Sequence, residues 1–156
     1  MSTPQGIPSV DLSDFVSGDE TRKQQFVESL GKAYEEIGFV ALKNHEVSDE
    51  IIDNIYRLNA AFFSLPEDLK KKYEINEISG QRGYTSFGKE HAKGKTAGDL
   101  KEFWHFGQFV EDDEARRASY PENIHVSELP DYLPMGKKAY QALEATGTKM
   151  LQAIAL

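Results

Sequence analysis

Cysteine is missing from this 156-residue chain. That excludes disulfides, a thiolate metal site and a cysteine nucleophile, and it fits a cytoplasmic location. Long hydrophobic runs are missing too. No apolar stretch approaches the roughly 20 residues that span a bilayer, so no membrane partner is expected. The opening segment to Val10 is polar and lacks the core of a secretion signal. Positive charge is scarce: 18 Lys and Arg stand against 26 Asp and Glu, a net charge of -8. Such a balance argues against a nucleic-acid partner, because neutralising phosphates needs a basic face.

Short catalytic motifs are also lacking. There is no Gly-x-x-x-x-Gly-Lys-Ser/Thr phosphate loop and no Gly-x-Ser-x-Gly elbow. The four histidines, His45, His91, His105 and His125, form no His-x-Asp, His-x-Glu or His-x-x-x-His pair. Spacing therefore assigns no catalytic residue and no metal ligand within the chain.

What is present describes a folded domain. Hydrophobic residues make up 39% and charged residues 28%, and the length suffices for one core. Ile7 to Val10 reads as an edge strand, and Asp11 to Asp19 as turn chemistry. The spacing of Phe26, Leu30, Ala33, Tyr34 and Ile37 predicts a helix over 21–37, closed by Gly38 at its C′ position. Phe39 to Leu42 reads as a buried strand. Ser48 caps a helix carrying Ile51, Ile52, Ile55, Leu58, Phe62 and Phe63 on one face, and Pro66 ends it. Pro66-Glu67-Asp68 opens a short helix to Tyr73, with Pro at its first turn and acids beside it.

Glycines then punctuate 78–100, which reads as loop and short strand. Glu102 to Val110 is dense in aromatics and reads as a strand covered on both faces. Glu111 to Glu114 forms an acidic turn. Lys70, Lys71 and Lys72, and separately Lys89, Lys93 and Lys95, read as solvated surface. From Tyr132 a final helix shows an apolar face of Tyr140, Leu143, Met150, Leu151 and Ile154. That pattern is still running at Leu156, with no C-cap, so the 156 residues are expected to be a fragment of a longer protein.

One local group suggests binding. In Arg82-Gly83-Tyr84 the arginine offers a planar fork for a carboxylate, and the tyrosine a ring and a hydroxyl. These two residues are the candidate substrate-binding pair. On chemistry alone, a loop arginine over a packed aromatic accounts for them slightly better.

The order of segments is more telling. Val10-Asp11-Leu12, Gly38 through His45, and Phe62-Phe63-Ser64-Leu65-Pro66 occur in turn. Arg82-Gly83-Tyr84, Asp99-Leu100-Lys101-Glu102, Asn123-Ile124 and Glu128-Leu129-Pro130 follow. The series resembles the N-terminal half of the Fe(II)- and 2-oxoglutarate-dependent oxygenases of the isopenicillin N synthase-like class. The resemblance implies an α+β fold, with helices packed on the first strands of a jelly-roll (double-stranded β-helix) barrel that stays incomplete within residues 1–156. It implies Fe(II) and 2-oxoglutarate as cofactors of the full-length protein, with their ligands outside this chain, and a small organic molecule as substrate. Tyr84 matches the family's recurring Gly-Tyr; Arg82 is a looser match. Lys101-Glu102-Phe103 resembles the start of a barrel strand, with a structural role.

Asn44-His45-Glu46 resembles an Asn-His-Gly turn in which Glu46 replaces the glycine. Asn123-Ile124-His125-Val126 stands where the family often has Asn-x-Trp-Pro. This departure implies a divergent, bacterial branch and argues against a plant-hormone or flavonoid substrate. On this reading the chain alone is inactive, and exposed strands and a helix face invite oligomers. The alternative is a non-enzymatic helical interaction module derived from the same family.

Overall fold

The computed structural model describes residues 6–90, 98–110 and 119–156. The expected acidic turn at Glu111 to Glu114, together with His91, Lys93 and Lys95, lies outside the described residues. The chain divides into two compact units, Met1–Ser48 with Ala142–Leu156, and Asp49–Gln141.

In the first unit, β1 (Ser9–Asp11) pairs in parallel with β2 (Ala41–Lys43), Val10 opposite Leu42. Parallel strands need a long crossover, and α2 (Glu20–Glu36) lies within it. A four-residue helix, α1 (Leu12–Phe15), precedes α2 where turn chemistry alone was expected. Asp11 explains it: its Oδ1 accepts from the Ser13 N–H at 2.9 Å and supplies an N-cap. Asp19 caps α2 in the same way, accepting from Thr21 N at 2.8 Å and Arg22 N at 3.2 Å. Gly38, at φ +81°, closes it by donating to Ala33 O at 3.1 Å.

Phe26 and Leu30 are buried with Val10, Leu12 and Ala153, and Ala33 is buried as well. Tyr34, expected in that stripe, is 42% exposed. One residue past Ala33 rotates about 100° around the helix, off a face only three residues wide. Phe39 is 69% exposed rather than buried, because pairing starts only at Ala41. Asn44 takes the left-handed conformation (φ 52°) and donates to Asp11 Oδ2 at 2.7 Å. The positive φ of that turn falls on Asn44, so Glu46 fits it without strain.

In the second unit, α3 (Asp49–Phe63) begins directly after Ser48. The next helix, α4 (Glu67–Lys71), is shorter than expected. Pro66 sits at its cap rather than inside it, with its carbonyl accepting from Leu69 N and Lys70 N at 3.0 Å each. The aromatic segment contributes only three strand residues. There β4 (Phe103–His105) pairs antiparallel with β3 (Gly83–Thr85), Tyr84 opposite Trp104. Its second face is covered sparingly, by the Phe103 and His105 rings against each other, with His105 exposed.

Phe62 is the centre of the core. Its ring lies 4.7–6.2 Å from those of Phe63, Tyr73, Tyr84, Trp104 and Tyr132. Most meet edge-on, the arrangement the ring quadrupole favours. Tyr132 opens α5 (Tyr132–Ile154) and donates to Asn59 Oδ1 at 2.6 Å. One turn on, Gly136 leaves room for the Phe106 ring, which any Cβ there would strike.

The predicted apolar face of α5 is only partly buried. Leu143, Leu151 and Ile154 are exposed, whereas Ala153 is buried and Met150 packs beside it. The fold is thus mixed helix and strand. Among the described residues it has two two-stranded sheets and no closed barrel. No described helix is long and apolar enough to cross a membrane.

Candidate functional site

The polar chemistry of the second unit gathers where α4 meets the β3–β4 pair. Lys70 lies in α4 and its side chain turns inward. Its side chain is 9% exposed, and Nζ pairs with Glu102 Oε2 at 2.7 Å and donates to Phe63 O at 3.3 Å. This corrects the reading of 70–72 as solvated surface. Lys71 does face outward, against Glu67. Nothing local sets Lys70 apart from its neighbouring lysines, because the Glu102 that pairs with it is distant in sequence.

Glu102 Oε2 also accepts from the Tyr84 hydroxyl at 2.5 Å, and Lys70 Nζ lies 5.6 Å from the centre of the Tyr84 ring. Tyr84 is 1% exposed. Burial, reinforced by the Glu102 carboxylate, pushes its phenol well above the ordinary tyrosine range. The phenol is therefore a fixed donor. These three residues, with Glu67, Lys71, Ser86 and Phe87, line a groove of about 330 Å³.

Two further ties stiffen the surroundings. Ser86 donates to Glu74 Oε1 through both N–H (3.1 Å) and Oγ (2.9 Å). Tyr73 donates to Glu128 and accepts from Ser127 N. Glu128 is held below the usual carboxylate range, chiefly by the Tyr73 hydroxyl.

Arg82 stands just before β3 and is 7% exposed. Its Nη1 donates to Gln81 O at 2.7 Å, and Nε has no acceptor among the described residues. The guanidinium lies on Gly107, where any side chain would collide with it. Asn123 holds Gly107 from the side, accepting from its N–H at 2.8 Å and donating to its carbonyl at 3.0 Å. Gly83, between Arg82 and Tyr84, has φ +78°, and a Cβ there would strike the Tyr73 carbonyl.

The described histidines stay apart. His105 Nδ1 engages Gly80 O at 2.8 Å, and His45 and His125 are exposed. Among the described residues no group of three His, Cys, Asp or Glu could hold a metal ion.

The chain matches the family described as non-haem dioxygenase in morphine synthesis N-terminal over residues 7–128. Among curated proteins it is 31% identical to the 2-oxoglutarate-dependent dioxygenase frbA of Dothideomycetidae sp. (strain 11243), covering 96% of this chain and 46% of that protein. It is 30% identical to a leucoanthocyanidin dioxygenase of Malus domestica, covering 96% and 40%. Among solved structures, a 2OG-Fe(II) oxygenase family protein of Caulobacter crescentus aligns at TM-score 0.80 and 35% identity, covering 96% of this chain and 48% of that one. A full-length Neurospora crassa protein solved in complex with alpha-KG aligns at TM-score 0.75 and 26% identity, covering 99% and 48%. The chain thus spans about half the length of the relatives it matches, corresponding to their N-terminal portion.

Proposed function

Because the chain belongs to the non-haem dioxygenase N-terminal family, we propose that it is the N-terminal portion of an Fe(II)- and 2-oxoglutarate-dependent oxidoreductase acting on a small organic molecule. The observation that carries this reading is that sequence match and structural likeness coincide over most of the chain. When bound, iron and 2-oxoglutarate would supply the oxidising chemistry. The described residues do not fit a metal centre, so no step runs through them, and the cofactors belong to the remainder of the complete enzyme.

These 156 residues supply scaffold and pocket wall for a jelly-roll barrel in a cytoplasmic protein, as one region of a larger single-domain enzyme. Arg82 and Tyr84 are the substrate-side pair. Their support is position: Tyr84 lies within β3 and Arg82 immediately before it, and Tyr84 lines an open groove. With its hydroxyl committed to Glu102, Tyr84 acts through the face and placement of its ring. The exposed Leu143, Leu151 and Ile154 would draw copies of the isolated chain together.

The full gene product is expected to release succinate when given Fe(II), 2-oxoglutarate and dioxygen, and the isolated 156 residues to release none. Succinate from the isolated chain would refute the division of labour. A full product that is folded, monomeric and silent would instead favour the interaction module.

A further inference from the structure

The chain contains its own demonstration of how an arginine fork is filled. Arg22, about half exposed, directs both Nε (2.8 Å) and Nη2 (2.5 Å) at Asp14 Oδ1. Arg82 is far more buried, yet its Nε has no acceptor among the described residues. Only Nη1 is used there, on Gln81 O. No carboxylate pairs with it among the described residues, and the Gly107 beneath it is tied to the Asn123 amide. A buried guanidinium whose Nε–H finds no acceptor is costly to keep unless something fills that position. The Nε–Nη2 edge has the spacing of a carboxylate's two oxygens, and that pairing is strongest out of water.

We infer that the Arg82 fork is a carboxylate-binding subsite and that the substrate class is a small molecule bearing a carboxylate. The inference rests on the reading of Arg82 as a substrate-side residue. Charge on the ligand neutralises Arg82, and the two parallel hydrogen bonds fix the ligand's orientation beside β3.

The test uses the full gene product, 15N-labelled, with sodium benzoate as the probe and benzamide and sodium chloride as controls. The Arg82 Nε–H signal is assigned by its loss in Arg82→Lys. Benzoate is expected to move that signal and the Gly107 amide saturably, while benzamide and chloride leave both in place. Arg82→Lys, which keeps the charge but loses the fork, is expected to weaken the benzoate response at Gly107 at least tenfold. A wild-type protein that gives no benzoate response, or responds equally to chloride, overturns the subsite, as does unchanged affinity in the lysine variant. Succinate release measured on the same preparation separates the two levels. Release without a benzoate response removes only this inference, and no release removes the reading beneath it.

Discussion

The two units solve the problem of a small core differently. The first buries Val10, Leu12, Phe26, Leu30 and Ala153 in a mostly aliphatic cluster, and its capping carboxylates and Arg22–Asp14 pair stay near water. The second stacks rings around Phe62 and wires phenols and a lysine to carboxylates within that core. Aliphatic packing is indifferent to pH and forgiving of shape. Rings with hydroxyls carry directional demands, so each lost partner strands another. The second unit is therefore the more brittle of the two.

The contrast can be broken most forcefully at Phe62. Phe62→Ala should cost about 3–5 kcal/mol, because five neighbouring rings lose their common contact. Chemical denaturation of the full product should show it, and a loss below ~1 kcal/mol would mean the aromatic cluster is not a cooperative core. Lys70→Met should cost about 3 kcal/mol by leaving Glu102 buried and uncompensated. Lys70→Met combined with Glu102→Gln should recover part of that loss, a recovery with no counterpart at Leu30→Ala, where only a cavity forms.

Gly83→Ala should cost about 2 kcal/mol, from a positive φ and the Tyr73 carbonyl behind it. At Gly38, also at positive φ but with open space around it, alanine should cost only about 1 kcal/mol. Equal losses would remove the steric part of the argument.

The smallest effect is in alkali. The folded-state phenol of Tyr84 titrates above its unfolded value. Its contribution is whole below about pH 10, where the unfolded phenol starts to ionise, and fades as pH rises beyond that. Urea midpoints measured from about pH 9 to 12 should fall in the wild type and fall less steeply in Tyr84→Phe.

Much of this organisation is legible in the residues. Gly38 marks the end of α2, and the Phe62 face of α3 follows from its period. Segment order alone points to the family. Elsewhere local pattern misleads. Tyr34 sits within reach of the apolar stripe and yet falls outside it, since stripe width is set by what lies opposite. Lys70 looks solvated because lysines usually are; the acid that permits its burial lies 32 residues away. Strand β4 is shorter than its composition suggests because aromatic density reports burial and not pairing. Arg82 and Tyr84 stand out as a pair, but only the fold reveals that the Tyr84 hydroxyl is committed to Glu102 while the Arg82 Nε lacks an acceptor among the described residues.

The notch at Gly136 reaches beyond this chain. Since the Phe106 ring occupies the space a methyl group would need, the two positions are coupled across some thirty residues of sequence. Homologues that acquire a side chain at the first should compensate with a smaller or displaced residue at the second. Covariation between these columns would then trace the seam where the last helix seats on the aromatic segment just past β4.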